Sequence, residues 1–281
     1  MRVVIFTDLD GSLLNHEDYV YAAAVPALEK IRADNIPLII VTSKTRYEVK
    51  PLQKELGISA PFIVENGGGI FFPDSLGMKN LTGGEKNGKY TVIRLGASYR
   101  DIRTFFVKAA SRFAIRGFGD MKTAEIAELT DMSYIDAGRA RHREFTEPFL
   151  AENDEDIRKI EKAARREGFK ITKGGRFFHL IGAGQDKGIA VNKLIDIYRE
   201  DGNETALVTV GIGDSENDLP MLQQVDIPVL IPRPQQGFLK IDLPGLVRAG
   251  EPGCRGWNSA VGSILNNLDG GYPPGKVFPC P

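Results

Sequence analysis

The sequence predicts an α/β protein with a doubly wound, Rossmann-like parallel sheet core and an inserted α+β cap domain. Three observations lead to this prediction. Apolar segments alternate with helical segments at the start of the chain and again after residue 184, as in parallel sheets covered by helices. Between about residues 82 and 183 the strand-like segments become shorter and partly alternating, which is typical of a different, partly exposed sheet. Glycines at 83–84 and at 182 and 184 flank this stretch.

The first half of the predicted core has two helices between three strands. Residues 36–41 form a continuous apolar run, typical of a strand that is buried on both faces. Val25, Leu28 and Ile31 form an apolar stripe at helical spacing. In chain order, the predicted elements are a strand at 2–6, a helix at 22–34, a strand at 36–41, a helix at 46–56 and a strand at 62–64.

The insert and the second half of the core follow. The insert has predicted strands at 90–95, 144–149, 169–172 and 176–181, and helices at 99–112, 123–128, 133–141 and 155–167. The parallel pattern returns with a helix at 187–200, a strand at 206–212, a helix at 219–224 and a strand at 227–231. Residues 232–281 are rich in Pro and Gly, with one short helix predicted at 257–268. We therefore expect a core of residues 1–81 and 184–281 and a cap of residues 82–183.

Composition narrows the classes of partner. The 281 residues include 36 basic and 37 acidic ones, for a net charge of −1, so no nucleic-acid partner is expected. No apolar run approaches the roughly 20 residues that span a bilayer, so no membrane partner is expected. The apolar segment near the N-terminus is too short for a signal peptide. Cys254 and Cys280 lack metal-ligand spacing, which suits a reducing cytoplasm.

The first strand ends in two carboxylates, Asp8 and Asp10, followed by Gly11. Residues two apart on a strand point to the same side, so both carboxylates project from the carboxyl end of the strand. Ligands bind at that edge of an open parallel sheet. Two like charges held so close favour a divalent cation. The alternative, one helix-capping and one turn aspartate, explains the pair less well.

Three further segments place polar groups at the same predicted edge. Thr42 follows a strand and precedes a helix, where a hydroxyl and free N–H groups bind phosphate, although an N-cap is the simpler explanation. Lys187 lies at a helix start, where a lysine opposes the helix dipole unless an anion is near; taken alone, a solvated surface lysine is the better explanation. The segment 213–218 carries three acids, Asp214 and Asp218 among them, which predicts a hard-cation site.

Together these segments resemble the motifs of the haloacid-dehalogenase superfamily of phosphotransferases. Residues 8–14 (DLDGSLL) match its first motif, Thr42 the second, Lys187 the third and residues 213–218 the fourth. An α/β cap between the second and third motifs is the arrangement of the superfamily's IIB group. Ser12 stands where threonine is usual and keeps the hydroxyl.

The resemblance implies a Mg²⁺-dependent phosphatase that works through an aspartyl phosphate. By similarity, Asp8 is the nucleophile, while Asp10 protonates the leaving alcohol and later activates water. Thr42 and Lys187 neutralise the phosphoryl oxygens. The implied metal ligands are Asp8, the backbone carbonyl of Asp10, and Asp214, with Asp218 as a further ligand or as a group behind the ligands. Oxygen-only donors favour Mg²⁺ over Zn²⁺.

Within the IIB group the chain is similar to the mannosyl-3-phosphoglycerate phosphatases. The similar segments are 41–45, 65–68, 143–149, 174–179 and 256–258. The implied substrate carries a sugar, a phosphate and a glycerate carboxylate. Lys44 and Arg176 are expected to bind its anionic groups. The remaining predicted substrate contacts are Ser43, Asn66, Glu147, His179 and Asn217. Because Arg176 and His179 flank aromatic residues, simple packing is the alternative for both.

Other functions fit parts of the pattern. A general sugar phosphatase, a sucrose- or trehalose-phosphate phosphatase or a phosphohexomutase would use the same core motifs. A phospho-accepting receiver protein also combines paired acids, a hydroxyl and a lysine on a doubly wound sheet, but its motif order differs and no domain of about a hundred residues interrupts it. A non-catalytic relative is disfavoured because all the expected reactive groups are present.

Overall fold

Two separate sheets organise the protein. The computed structural model describes residues 1–78, 81–174, 176–201 and 206–270. Within these residues, nine strands form a large sheet and four form a smaller one. The large sheet contains β1 (Arg2–Thr7), β2 (Leu38–Val41), β3 (Phe62–Val64), β4 (Gly69–Pro73), β5 (Gly84–Asn87), β6 (Tyr90–Arg94), β11 (Leu207–Gly213), β12 (Ile227–Leu230) and β13 (Val247–Arg248). The smaller sheet contains β7 (Ile115–Gly117), β8 (Thr146–Ala151), β9 (Phe169–Gly174) and β10 (Phe177–Gly182).

The centre of the large sheet is parallel. Its strand order is β13-β12-β11-β1-β2-β3-β4-β6-β5, and each neighbouring pair from β13 to β3 is parallel. The carboxyl ends of β11, β1, β2 and β3 therefore meet at one edge. The five strands predicted for the core are confirmed, with ends that differ by at most two residues.

Helices cover both faces of the large sheet. The helices of the described residues are α1 (Val25–Ala33), α2 (Arg46–Leu56), α3 (Tyr99–Ala110), α4 (Thr123–Thr130), α5 (Tyr134–Arg141), α6 (Asp154–Arg166), α7 (Lys187–Asp201), α8 (Leu219–Leu222) and α9 (Gly253–Asp269). Leu28 and Ile31 of α1 share one apolar cluster with residues of α2 and α9. Leu194 of α7 and Met221 of α8 belong to a second cluster. The predicted doubly wound core is thus confirmed.

The smaller sheet belongs to the insert. Side chains of α3 and α6 pack against β8, β9 and β10 in a third apolar cluster, and α4 and α5 form a fourth. The strands are antiparallel. This arrangement confirms the predicted α+β character of the insert.

Two strands within the predicted cap range join the large sheet instead. β6 pairs antiparallel with β4, and β5 pairs antiparallel with β6. The strand predicted at 90–95 is therefore an extension of the core sheet, whereas the second sheet begins with β7. The division of the chain at residues 82 and 183 remains a prediction.

The last part of the core contains more structure than the sequence predicts. The helix predicted at 257–268 is confirmed and extends over Gly253–Asp269, and β13 adds a short edge strand. Cys254 is a buried free thiol. Cys280 lies outside the described residues, as does the rest of the segment 271–281. None of the helices in the described part of the chain has the length and apolar surface needed to cross a membrane.

Candidate active site

Four neighbouring strands deliver polar residues to one edge of the large sheet. Asp8 follows β1, Thr42 follows β2, Glu65 follows β3 and Asp214 follows β11. All four are buried. Because these strands are adjacent and parallel, the sheet brings together groups that lie up to about two hundred residues apart in sequence.

Lys187 joins two of the aspartates. Its Nζ is 2.6 Å from Asp8 Oδ1 and 2.6 Å from Asp218 Oδ1, and the residue is 1% exposed. Burial lowers the pKa of the Lys187 ammonium, but the Asp218 and Asp8 carboxylates outweigh burial and raise this pKa above its usual range. The lysine is therefore a fixed positive charge at the start of α7, where the helix dipole alone would disfavour it.

Asp8 lies among more carboxylates than Lys187 can neutralise. Burial raises the pKa of Asp8 well above its usual range; Lys187 opposes this shift, and Asp218, Asp214 and Asp10 add to it. Carboxylates grouped this closely are stable in their charged form only beside additional positive charge. The surroundings of Asp8 thus favour the binding of a cation.

The residues present fit a divalent metal ion. One oxygen each from Asp8, Asp214 and Asp218 lies within 4.8 Å of the others, and all three residues are buried. Asp214 Oδ1 has no hydrogen-bond partner within the described residues. Burial and the Asp218 carboxylate raise the pKa of Asp214 to about 7. The donors are oxygens, as hard cations such as Mg²⁺ prefer.

Asp218 is already saturated by protein groups. Its Oδ2 accepts hydrogen bonds from Asp214 N, Ser215 N and Ser215 Oγ at 3.0–3.1 Å, while its Oδ1 accepts one from Lys187. Asp218 therefore holds Lys187 and the backbone that presents Asp214.

The turn after β1 depends on a glycine. Gly11 has φ +87°, and a Cβ at this position would lie 2.9 Å from Asp214 Oδ2. Gly11 N donates to the carbonyl of Leu14, which closes the turn. Only a residue without a side chain lets this turn approach Asp214 so closely.

Asp10 has a cation of its own. Lys44 Nζ is 2.8 Å from Asp10 Oδ2, and it lies 4.9 Å from the centroid of the Tyr19 ring. Burial lowers the pKa of Lys44, but Asp10 and Glu48 outweigh burial and raise this pKa above its usual range. Asp10 Oδ1 is buried without a hydrogen-bond partner in the described part of the chain. The two aspartates of the first motif thus have different surroundings.

The segment between β2 and α2 is fixed at both ends. Thr42 Oγ1 accepts a hydrogen bond from Lys44 N at 3.1 Å. The carbonyl of Ser43 accepts one from Arg143 Nη1 at 2.8 Å. Thr45 and Glu48 form a capping box at the start of α2. Thr42 is therefore not the N-cap of α2, so its buried hydroxyl lies at the sheet edge instead.

Asn66 and Asn217 contact each other across the site. Asn217 Nδ2 donates to Asn66 Oδ1 at 3.0 Å. Asn66 is 2% exposed, and its Nδ2 has no hydrogen-bond partner among the residues described. The contact links the end of β3 to the loop after β11 and leaves Asn66 with an unused donor.

Glu147 is one of the residues of the insert that are predicted to contact the substrate. Glu147 is 0% exposed, and its carboxylate accepts hydrogen bonds from Tyr99 Oη at 2.6 Å and Gly119 N at 2.8 Å. Burial raises the pKa of this carboxyl. The structure therefore places Glu147 inside the insert, where hydrogen bonds from other residues of the insert occupy its oxygens.

Arg176 directly precedes β10, and His179 lies within this strand. The Arg176 side chain is 60% exposed and 3.9 Å from Asp131. Phe178 and Leu180 pack in the cluster with α3 and α6, so alternation along the strand points His179 to the opposite face of the smaller sheet. His179 is 5% exposed.

Sequence reasoning missed a junction between core and insert. Glu65 accepts hydrogen bonds from Glu144 N, Phe145 N and Thr146 Oγ1 at 2.8–3.0 Å. Its own carbonyl accepts one from Gln185 Nε2 at 2.6 Å. Burial raises the pKa of Glu65 to about 7, although the charge of Arg143 and these hydrogen bonds lower it. The signal in the sequence that could have indicated this junction is the position of Glu65, an acid directly after the apolar strand β3.

Comparison with known proteins identifies the family. A profile of the haloacid dehalogenase-like hydrolases matches residues 5–235, a range that includes the ends of β1, β2 and β11 and the start of α7. The chain belongs to this family. The resemblance to the haloacid-dehalogenase superfamily is confirmed.

Curated relatives cover almost the whole chain. The glucosyl-3-phosphoglycerate/mannosyl-3-phosphoglycerate phosphatase of Persephonella marina is 52% identical over 269 residues, 96% of this chain and 99% of the relative. The enzyme of the same description from Methanococcoides burtonii is 40% identical over 275 residues, 95% of this chain and all of the relative. The predicted similarity to the mannosyl-3-phosphoglycerate phosphatases is thereby confirmed.

Solved structures support the fold of this haloacid dehalogenase-like hydrolase. The crystal structure of protein 0175 from Thermoplasma acidophilum aligns with a TM-score of 0.68 at 21% identity, covering 96% of this chain and 99% of that one. At this identity the likeness concerns the fold alone. It supports the combination of a doubly wound core with an insert.

Proposed function

We propose that this hydrolase is a Mg²⁺-dependent phosphatase that converts a glycosyl-3-phosphoglycerate, mannosyl or glucosyl, to the glycosylglycerate and phosphate. One observation carries the chemistry: the two aspartates of the first motif form ion pairs with different lysines. Asp8 pairs with Lys187, and Asp10 pairs with Lys44. We assign Asp8 to the attack on phosphorus and Asp10 to proton transfer. The names of the full-length relatives support the substrate class.

The first half of the reaction forms a phosphoenzyme on Asp8. A carboxylate oxygen of Asp8 attacks phosphorus, the bond from phosphorus to the glycerate oxygen breaks, and Asp10 gives its proton to that oxygen. Lys187 and the Thr42 hydroxyl bind the phosphoryl oxygens as negative charge moves onto them. The product of this half is aspartyl phosphate and the free glycosylglycerate.

The second half releases phosphate. Asp10, now deprotonated, takes a proton from water as the water oxygen attacks phosphorus, and the bond to Asp8 breaks. Asp8 and Asp214, with the backbone carbonyl of Asp10, would hold the Mg²⁺. When bound, the ion supplies positive charge against the phosphoryl oxygens and the crowded carboxylates. Asp218 would keep Lys187 and Asp214 in position.

Phosphate release from a substrate panel tests the proposal. The panel contains mannosyl-3-phosphoglycerate, glucosyl-3-phosphoglycerate, 3-phosphoglycerate and simple hexose phosphates, each with Mg²⁺ and with a chelator. We expect the highest kcat/KM on a glycosyl-3-phosphoglycerate, and no phosphate release when a chelator replaces Mg²⁺. Asp8→Asn should lower kcat by about a thousandfold or more, because the nucleophile is lost.

Asp196→Asn is the matched control, since Asp196 is an exposed aspartate on α7 and should leave kcat unchanged. Preference for a hexose phosphate, with loss of activity in Asp8→Asn, would retain the nucleophile and reject the substrate. Conversion of one hexose phosphate to another without phosphate release would indicate a mutase. Equal activity of Asp8→Asn and the wild type would reject the phosphatase itself.

A further inference from the structure

The loop after the first motif presents an exposed aromatic residue in a strained conformation. Asn15 N donates to the carbonyl of Val20 at 3.0 Å, and Val20 N donates to Asp18 Oδ1 at 3.0 Å. Between them, Tyr19 has φ +56° and is 39% exposed. A bulky residue with positive φ is in an unfavourable backbone conformation, and such strain concentrates at functional sites.

Tyr19 lies next to the ion pair of Lys44 and Asp10. Its ring centroid is 4.9 Å from Lys44 Nζ, which is itself 2.8 Å from Asp10 Oδ2. Lys44 occupies one region over the ring, and more than a third of the residue stays exposed. An aromatic surface is therefore available beside Asp10, the carboxyl group that we propose gives its proton to the leaving oxygen.

The insert also acts on this tyrosine. Burial raises the pKa of the Tyr19 hydroxyl, Asp10 raises it further, and Lys44 and Arg176 lower it. Arg176 lies between β9 and β10 of the insert, whereas Asp10 and Lys44 belong to the core. Tyr19 is thus in electrostatic range of both parts of the protein, where a substrate enclosed between them would lie.

The chemistry of a glycosyl-3-phosphoglycerate places its sugar close to Asp10. The leaving oxygen is on C3 of the glycerate, and the remaining hydroxyl, on C2, is the one that can carry the sugar. C2 also carries the carboxylate. A leaving oxygen at Asp10 therefore brings the carboxylate near Lys44 and the sugar within reach of the neighbouring ring.

We propose that Tyr19 is a specificity-determining residue whose ring packs against the apolar face of the glycosyl group while Lys44 binds the glycerate carboxylate. This inference rests on the proposed function. Tyrosine suits the role because a rigid ring adds apolar contact area at little cost in side-chain entropy. The ring, and not the hydroxyl, supplies the discrimination between glycosylated and bare phosphoglycerate.

Tyr19→Ala and Tyr19→Phe, assayed on two substrates, test this role. In Tyr19→Ala we expect kcat/KM for the glycosyl-3-phosphoglycerate to fall roughly tenfold, and kcat/KM for 3-phosphoglycerate to stay within about twofold. Tyr19→Phe should keep the wild-type ratio. Tyr134→Ala, at a tyrosine that is 67% exposed on α5, is the control for loss of a surface ring and should leave both values unchanged.

Equal losses on both substrates in Tyr19→Ala would overturn the proposal, as would an unchanged ratio. A loss in Tyr19→Phe equal to that in Tyr19→Ala would assign the effect to the hydroxyl and reject the packing of the ring. If the wild type prefers a hexose phosphate, the proposed function fails separately. The ratio between that hexose phosphate and glycerol phosphate then decides whether the Tyr19 ring recognises a sugar.

Discussion

Asp214 and Asp218 are four residues apart, but their oxygens have different surroundings. Asp214 Oδ1 is buried without a hydrogen-bond partner in the described residues, and Arg233 Nε lies 3.6 Å from its Oδ2. Both oxygens of Asp218 are occupied by backbone N–H groups, Ser215 and Lys187. An unpaired buried oxygen is available to a metal ion, whereas a saturated one is costly to redirect.

This difference predicts separate effects of two conservative substitutions. Asp214→Asn should weaken Mg²⁺ binding by about a hundredfold or more, because a charged ligand is lost. Asp218→Asn should weaken it by no more than about tenfold, since the group acts behind the ligands, while kcat falls by roughly 10- to 100-fold as Lys187 loses a partner. Calorimetric titration with Mg²⁺ and the Mg²⁺ dependence of kcat measure the two effects. Equal losses of Mg²⁺ affinity in the two variants would make Asp218 a ligand.

At the scale of single residues, the sequence indicates groups that follow strands but not groups that meet through packing. Asp8, Thr42 and Asp214 stand directly after apolar runs, so the ligand-binding edge could be predicted from the chain alone. The pairing of Lys44 with Asp10 could not, because no local pattern shows which acid a lysine will reach. For Glu147, no pattern in the sequence indicates that Tyr99 and Gly119 would occupy its oxygens.

At the scale of elements, the turn after β3 packs directly against the start of α7. Glu65, Asn66 and Gly67 all have positive φ, at 51°, 57° and 85°. A Cβ on Gly67 would overlap the backbone carbonyl of Asp186, next to Lys187. The turn therefore fixes where α7 begins, and with it the ammonium that pairs with Asp8.

A pair of glycine substitutions separates this packing from backbone strain. Gly67→Ala should destabilise the fold by several kcal/mol and lower kcat, because α7 must move away from the turn. Gly77→Ala is the control: Gly77 has φ +62°, but a Cβ added there would have no atom within 4 Å, so only the conformational cost of about 1–2 kcal/mol applies. Urea denaturation and kcat measure both. Equal destabilisation of the two variants would contradict the role of the turn.

At the scale of elements, periodicity identifies helices and strands better than it assigns strands to sheets. Helix α2 and strand β3 begin and end at the predicted residues. β4 and β5 have no counterpart in the prediction, and the strand at 90–95 was assigned to the insert. Short strands of mixed polarity suit either sheet, and the hydrogen bonding of β6 to β4 places this strand in the core sheet.

At the scale of the whole molecule, one buried carboxylate joins core and insert. Glu65, at the end of β3, accepts three hydrogen bonds from residues 144–146. Arg143, whose side chain is 5% exposed, donates to the carbonyl of Ser43, and Gln185 donates to the carbonyl of Glu65. These contacts are 2.6–3.0 Å long, and those from Phe145, Thr146 and Gln185 are buried. The charge state of Glu65 therefore bears on how core and insert are held together.

Glu65 makes the stability of this junction depend on pH. Its pKa is about 7 in the folded protein against an ordinary value of 4.5, so between these values the folded state binds the proton that the unfolded state has released. Stability then falls as pH rises from about 4.5 to 7, by roughly 3 kcal/mol. Glu65→Gln removes this titration.

The free energy of unfolding, measured by urea denaturation at pH 5, 6, 7, 8 and 9, tests the pH dependence. Because other groups titrate in both proteins, the readout is the difference between wild type and Glu65→Gln. We expect the wild type to lose more stability than the variant between pH 5 and 7, and the two curves to run parallel above pH 8, where Glu65 is ionised in both states. Glu128→Gln, at an exposed position on α4, should follow the wild type throughout. Parallel curves for wild type and Glu65→Gln across the whole range would show that Glu65 is ionised in the folded protein already at pH 5, held by its three hydrogen bonds and Arg143 against the effect of burial.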